Sequence, residues 1–397
     1  MMKPLALVIG DLSMVRALGR SDIPVVLASS EPAPIAARSR YCADVLRIPS
    51  VVERPDEAID AIVEWAGQQP KRPVIFYQGD HDLLAVSRHR DRIAACADFV
   101  MPRAELVEDL VDKLRFAALA LRLELPVPPT VALRRDERIE RELEAWTVFP
   151  CVLKPAVRSH WVGSSLQTQG GGTGKAVRVA TRTELERAVP IMRSHETDCV
   201  LQAAIDGGED QILSYHAYVR PHGEIVAEFT GRKVRTRPRQ YGFSTCVRVV
   251  DEPEVRRVGR EVLRKLDFSG VLKMDFKRDL RDGRLYLLEI NPRFNLWHHA
   301  GMVAGVCIPA LVYADCVSPG SAQQPQTIRD DVRWLSVRSD IGALLEYRRA
   351  GELSVTRWLR ELVTADVNED ALWQDPLPFF ADLVARAKRA LPMSGKR

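Results

Sequence analysis

A chain of 397 residues is longer than one hydrophobic core usually supports, so two or three packed modules are expected. Its residues are 46% hydrophobic and 28% charged, and a net charge of +4 is too small at this length to point to a nucleic-acid partner. There is no run of 18 apolar residues that would cross a membrane.

The first apolar run, Leu5–Ile9, ends at Gly10-Asp11, too short and too polar for a signal-peptide core. The seven cysteines (42, 96, 151, 199, 246, 307 and 316) are scattered and form no C-x-x-C pair. That pattern predicts reduced thiols in a cytoplasmic protein, not a disulfide frame or a zinc site. Leu5–Ile9, Val25–Ala28, Val45–Ile48 and Val74–Tyr77 read as buried strands, with helices at Met14–Arg20 and Asp56–Ala66 between them. Such alternation predicts a parallel sheet covered by helices. The first turn, Gly10-Asp11-Leu12-Ser13, lacks the later glycines of a dinucleotide fingerprint, which excludes a nicotinamide cofactor there.

Val107–Leu123 reads as one amphipathic helix, stopped by Leu125-Pro126-Val127-Pro128-Pro129. Phe149–Lys154 and Ala176–Ala180 follow as strands on either side of a glycine-rich connector, 163–174. Next come a helix at Arg182–His195, a strand at Cys199–Ala203, a strand-rich stretch over Gln211–Val250 and a helix at Pro253–Leu266. Two strands, Val271–Lys277 and Leu285–Ile290, bracket a turn at Asp279–Gly283. Gln323-Gln324-Pro325-Gln326 reads as a linker, and the last seventy residues as helices with Trp334, Trp358 and Trp373 available for packing.

Strand alternation puts Glu289 and Asn291 on one face, and a hairpin brings Asp275 beside Glu289. Three hard oxygen donors without histidine or cysteine suit magnesium, and Arg293 points the same way toward a phosphate oxygen. Solvated charges on a hairpin would explain Asp275 but not the whole group. Lys154 is fixed at a strand end before Pro155, whereas Lys113, alone, reads as a solvated helix residue; together they can bind phosphates as point charges. Gly170–Lys175 is not a P-loop, because Gln169 and Ala176 stand where a glycine and a hydroxyl are needed. It is either a flap over phosphates or a plain linker. The strand through Gln202, Ala203 and Ile205 can offer backbone groups to adenine, and Glu209 can accept from ribose hydroxyls. Gly231–Arg239 is basic but short, which fits phosphate or carboxylate binding, or a solvated face, better than nucleic acid. His298 and His299 read as structural at least as readily as substrate contacts.

Taken in order, these elements resemble the ATP-grasp superfamily over most of the chain, and within it the carboxylate–amine ligases of the D-aspartate ligase type. The resemblance implies an α/β ATP-grasp fold with a Rossmann-like pre-ATP-grasp domain at 1–107, an ATP-grasp domain at 108–318 and a helical C-terminal extension at 326–397. A flexible small subdomain would cover about 113–198. Ala37–Tyr41 and Gln78–Asp82 are similar to the pre-ATP-grasp domain, and Lys233, Arg235 and Pro238–Gly242 to the basic segment before the metal strands. The resemblance also implies ATP held by Lys113, Lys154, Gln202, Ala203, Ile205 and Glu209. Two Mg2+ ions, replaceable by Mn2+, would sit on Asp275, Glu289 and Asn291, with Arg293, Lys233 and Arg235 in catalytic roles. The implied reaction joins a small carboxylate to an amine, with an amino-acid-like substrate, through an acyl phosphate. The alternatives are an ATP-grasp carboxylase using bicarbonate and a non-catalytic ATP-binding regulator. The C-terminal tail would either cover the acceptor pocket or mediate association as a homodimer.

Overall fold

The computed structural model describes residues 3–134, 139–156, 176–194, 198–323, 327–368 and 373–390. The glycine-rich connector at 163–174, the preceding stretch Val157–Gln169 and most of the expected linker lie outside the described residues.

Three sheets carry the structure. The first contains β1 (Ala6–Ile9), β2 (Val25–Ser29), β3 (Cys42–Arg47) and β4 (Val74–Tyr77), in the order β3-β2-β1-β4 and parallel throughout. β1, β2 and β4 are buried on both faces, as continuous apolar runs require. β3, read from the sequence as buried, is an edge strand with partly exposed side chains. The N-terminus of the helix Leu12–Gly19 is closed by its own cap: the Asp11 carboxylate accepts from the Ser13 N–H at 2.8 Å, and Gln78 Oε1 accepts from the Asp11 N–H at 2.8 Å.

The expected helix Val107–Leu123 is two helices, Ala104–Val111 and Lys113–Arg122. Asp112 breaks it by adopting an extended backbone and capping the second helix through the Leu114 and Arg115 N–H groups, at 2.8 and 3.0 Å. Hydrophobic periodicity continues across such a break, so the pattern alone hides it.

The second sheet contains β5 (Thr130–Leu133), β6 (Cys151–Pro155), β7 (Val177–Val179) and β8 (Cys199–Ala203), in the order β5-β8-β6-β7. The third contains β9 (Ile212–Val219), β10 (Ile225–Arg237), β11 (Phe243–Val249), β12 (Gly270–Arg278), β13 (Leu285–Asn291), β14 (Val332–Leu335) and β15 (Val367–Asn368). Its order is β13-β12-β9-β10-β11-β14-β15. One face packs on the helices Ala104–Val111, Lys113–Arg122 and Pro253–Leu266. The other packs on Trp297–Val303 and Ile308–Val317, in a core continuous with the first sheet. Gly231 lets the fully buried Trp297 lie against β10, since a Cβ there would meet the indole at 2.4 Å.

The last seventy residues are not all helical: Trp334 lies in β14, and β15 pairs with it in parallel. A four-residue apolar strand next to longer helical patterns carries too little period-two signal to be read alone. The helices Val337–Arg349 and Val355–Val363 close over the end of β10 through a buried charge cluster. The Arg235 guanidinium binds Asp340 at 2.6 and 2.9 Å and also binds Glu361. Asp340 accepts in addition from Thr245 Oγ at 2.6 Å and Trp358 Nε1 at 2.8 Å. Further along, Asp375 reaches the first sheet's layer, accepting from Arg16 and Ser39 side chains and the Arg40 N–H at 2.7–2.9 Å.

All seven cysteines are free thiols. Among the described residues no single helix is long and apolar enough to cross a membrane.

Replacing Asp340 by Asn leaves Arg235 with a neutral partner in a closed site. Asp340→Asn is expected to destabilise the fold by about 3–5 kcal/mol, read as a lower urea midpoint in equilibrium unfolding.

Candidate functional site

Antiparallel pairing of β12 with β13 places Lys273 opposite Asn291 and Asp275 opposite Glu289. A bulge follows immediately, between Asp275 and Phe276. The expected meeting of Asp275, Glu289 and Asn291 on one face is therefore present. On the far side β12 pairs with β9, which sets Ser214 opposite Asp275 and His216 opposite Lys273.

Asp275 is 1% exposed and surrounded by donors. The Ser214 hydroxyl donates to Oδ1 at 2.5 Å, and Oδ2 accepts from Lys233 Nζ at 3.0 Å and Lys273 Nζ at 2.7 Å. Burial would raise its pKa, but the two ammonium groups and the hydrogen bonds hold the carboxyl well below its ordinary value. Burial lowers the pKa of both lysines too. At Lys233 the attraction of Asp275 and Glu289 prevails and the value is raised; at Lys273, with Lys233 beside it, the value stays lowered. Lys273 was not among the residues picked from the sequence. Its signal is the period-two spacing Lys273, Asp275, Lys277, three charged side chains on one face of a strand.

Glu289 is exposed and accepts the Asn291 amide at 3.2 Å. Among the described residues no three His, Cys, Asp or Glu side chains form a metal-holding group. The set here is two carboxylates completed by an amide, the sparse hard-oxygen pattern of a magnesium ion whose remaining ligands are water and phosphate. The residues fit such an ion through Glu289 and Asn291, with Asp275 keeping one acceptor position beside them. Arg293 lies next to them but is anchored elsewhere: it binds Asp80, the Gln78 carbonyl at 2.9 Å and Asn291 Oδ1 at 3.4 Å. That contact gives Gln78–Asp82 its place beside the site.

Two more lysines lie at the second sheet, one on it and one on the helix Lys113–Arg122 beside it. Lys154, on β6, donates to Gln202 Oε1 at 2.7 Å, while the Gln202 amide donates to Thr130 Oγ at 3.0 Å. Gln202 thus acts through its side chain, holding a lysine. Lys113, the first residue of its helix, reaches the Ala156 carbonyl at 3.4 Å. Burial lowers the Lys154 pKa to about 8, with Glu289 opposing and Lys113 adding to the shift. Lys154 is therefore electrostatically joined to the β13 carboxylate.

After β8 the chain turns through Ile205 to Glu209. The Ala203 N–H is used by the Pro129 carbonyl at 2.8 Å. Lys277 Nζ donates to the Ile205 carbonyl at 3.0 Å and the Gly207 carbonyl at 2.6 Å, pinning the turn from β12. Glu209 accepts the Tyr241 N–H at 3.3 Å. Lys277 also escaped the sequence reading, although it belongs to the same period-two set.

The basic stretch is internally neutralised. Arg232, Lys233, Arg235, Arg237 and Arg239 face Glu252, Asp275, Asp340, Glu346 and Glu352 respectively. Arg235 is only 3% exposed and sits in the cluster with the C-terminal helices rather than among the metal-strand residues. His298 and His299 are fully buried and held neutral by burial, with pKa values lowered to about 3. His298 packs edge-on to His216, which stacks on Phe229 with ring centroids 4.3 Å apart.

No family model matches the chain. Over 238 residues it is 24% identical to a D-aspartate ligase from Enterococcus faecium, a match spanning 58% of this chain and 55% of that enzyme. The chain therefore spans little more than half the length of that relative. Among solved structures, an L-amino acid ligase from Bacillus licheniformis aligns at a TM-score of 0.60 and 16% identity, covering 80% of this chain and 75% of that one. The biotin carboxylase domain of a 2-oxoglutarate carboxylase from Hydrogenobacter thermophilus, solved with MgADP, ADP and bicarbonate, aligns at 0.61 and 17%, covering 84% and 74%.

The Lys154 value carries a measurable consequence. Its pKa in the folded chain, about 8, lies below the 10.5 of a free lysine, so between these values the folded chain holds less proton than the unfolded one. This group's contribution to stability should therefore rise with pH across that window. Amine labelling read by mass spectrometry is expected to give Lys154 an apparent pKa of about 8, well below that of exposed lysines.

Proposed function

We propose that this chain, which has the ATP-grasp fold of those solved structures, is an ATP-dependent, ADP-forming ligase joining a small carboxylate to an amine. The observation carrying this reading is the face shared by β12 and β13. There Asp275, opposite Glu289 and two strand positions from the Lys273–Asn291 pair, is bonded to Lys233 and Lys273. Hard oxygen donors among ammonium groups suit a magnesium-bound polyphosphate and little else. The names of the D-aspartate ligase and the L-amino acid ligase support an amino-acid-like substrate.

In this reading Lys113 and Lys154 bind phosphate oxygens, and Gln202 keeps Lys154 aimed. Backbone groups at Ala203 and Ile205 meet adenine, and Glu209 accepts from the ribose hydroxyls. Glu289, Asn291 and Asp275 are the residues that would hold Mg2+, two ions in this reading, and the metal would neutralise phosphate charge. Lys233 and Lys273 stand where a γ-phosphate can take over their bonds from Asp275. Arg293 positions Asn291 from its anchor on Asp80. We assign Arg235 to holding the C-terminal helices, because its guanidinium is already engaged by Asp340 and Glu361.

A carboxylate oxygen attacks the γ-phosphorus and ADP leaves, giving an acyl phosphate. An amine nitrogen then attacks the acyl carbon, losing its proton as the C–N bond forms and inorganic phosphate departs. Neither step needs a nucleophilic side chain; both need positioned charge.

Phosphate release from ATP and Mg2+, screened over pairs of amino acids, is expected to require both an acid and an amine. Release that needs bicarbonate alone would make the chain a carboxylase, and no release with any pair would leave a nucleotide-binding regulator. Glu289→Gln should lower kcat by about 100-fold or more without shifting the urea midpoint. Full activity in that variant would refute the metal assignment. Lys277→Met frees the Ile205–Gly207 turn; it should raise KM for ATP about tenfold and leave kcat within a factor of about two.

A further inference from the structure

Between the turn carrying Glu209 and the C-terminal segment lies a half-open cavity of about 270 Å³. It has room for roughly nine water-sized groups at about 30 Å³ each. The turn contributes Glu209 and Asp210, the end of β10 and its loop contribute Val234 and Arg239, and the C-terminal segment contributes Tyr347, Leu353 and Arg357. Asp275, Glu289, Asn291 and Lys154 do not line it. A reacting amine must come within about 3–3.5 Å of its target, so this cavity is not where the bond forms.

Its polar groups are of two kinds. The Glu209 carboxylate accepts the Tyr241 N–H through Oε1, and that of Asp210 accepts the Gln211 amide through Oδ2. Among the described residues the other oxygen of each has no hydrogen-bond partner, although Lys277 attracts both carboxylates. Arg239 is balanced by Glu352. Arg357 gives its Nε to Glu361 at 3.0 Å, and among the described residues its two terminal nitrogens have no partner. The Tyr347 hydroxyl accepts the Thr236 N–H at 3.3 Å and keeps its own proton to donate. Leu353, only 6% exposed, supplies an apolar surface. A simple anion would meet the two carboxylates, and a simple cation would leave the Arg357 fork unmatched.

We propose that this cavity binds a free α-amino acid, with its ammonium on the Asp210 carboxylate beside Glu209 and its carboxylate on Arg357. Filling the cavity fixes the turn that presents Glu209, so amino acid and nucleotide tighten each other's binding. The coupling rests on the nucleotide reading above; the site itself does not.

Calorimetric titration of the full chain with each common amino acid, without nucleotide, tests the site. At least one is expected to bind saturably. Arg357→Ala and Leu353→Trp should each weaken that binding about tenfold or more, while Glu289→Gln leaves it unchanged. A non-hydrolysable ATP analogue should tighten it several-fold. Urea unfolding checks that both cavity variants fold, and either one suffices for the test. The site is overturned if no amino acid binds, if binding survives in a folded cavity variant, if acetate or phosphate binds equally well, or if Glu289→Gln abolishes binding. Equal affinity with and without the analogue overturns the coupling. Because turnover is not read, failure here leaves the ligase reading standing, and failure of the ligase assay leaves this site standing.

Discussion

Asp275 is buried, and a carboxyl in that position would ordinarily give up its charge. It stays ionised because Lys233 and Lys273 reach one oxygen and Ser214 the other. These groups come from three neighbouring strands, β9, β10 and β12, so the charge depends on how the sheet is paired. A slip of β12 by one residue would turn Asp275 toward the side of Met274 and Phe276, which are wholly buried in an apolar core. The register that buries the apolar residues is thus the register that assembles the site. Neither can be changed without the other.

The same strand explains the C-terminal segment. Lys233 and Arg235 both lie on β10, yet one serves Asp275 and the other is locked to Asp340 and Glu361. Register shifts on both sides of Arg235 separate their surroundings. β14 and β15 extend the sheet beyond β11, and Asp375 then reaches across to Arg16 and Ser39 in the first sheet's layer. Arg293 makes a second connection between the layers through Asp80. The strands carrying Asp275 and Asn291 are therefore held from both ends of the chain.

Much of this was legible in the residues because it is local. Cys199–Ala203 and Pro253–Leu266 were read to the residue, and period-two alternation placed Glu289 and Asn291 on one face before any pairing was known. What escaped depends on contacts distant in sequence. Lys277 is unremarkable until the Glu209 turn is brought beside it. Gln202 was chosen for its backbone, but its side chain holds Lys154, a pairing across β6 and β8 that no spacing reveals. Arg235 was grouped with Lys233 by composition, and only helices more than a hundred residues later separate the two. Asp112 shows the reverse case: a cap that local chemistry could have found lay hidden under an unbroken apolar stripe.

The lysines around the site do not stabilise one another. Lys113 depresses the pKa of Lys154, and Lys233 opposes the charge on Lys273. Burial adds to both effects, because an ammonium group away from water loses hydration that another ammonium cannot replace. Asp275 outweighs this at Lys233 and relieves part of it at Lys273, and Gln202 offers Lys154 a neutral oxygen. The fold thus maintains a cluster of cations in which Lys154 and Lys273 are only partly compensated. Such an arrangement is costly for an empty protein and favourable for one that binds a polyanion, since each phosphate oxygen removes a repulsion as well as forming a bond. In the reading proposed above, relief of that repulsion would add to the affinity for a triphosphate.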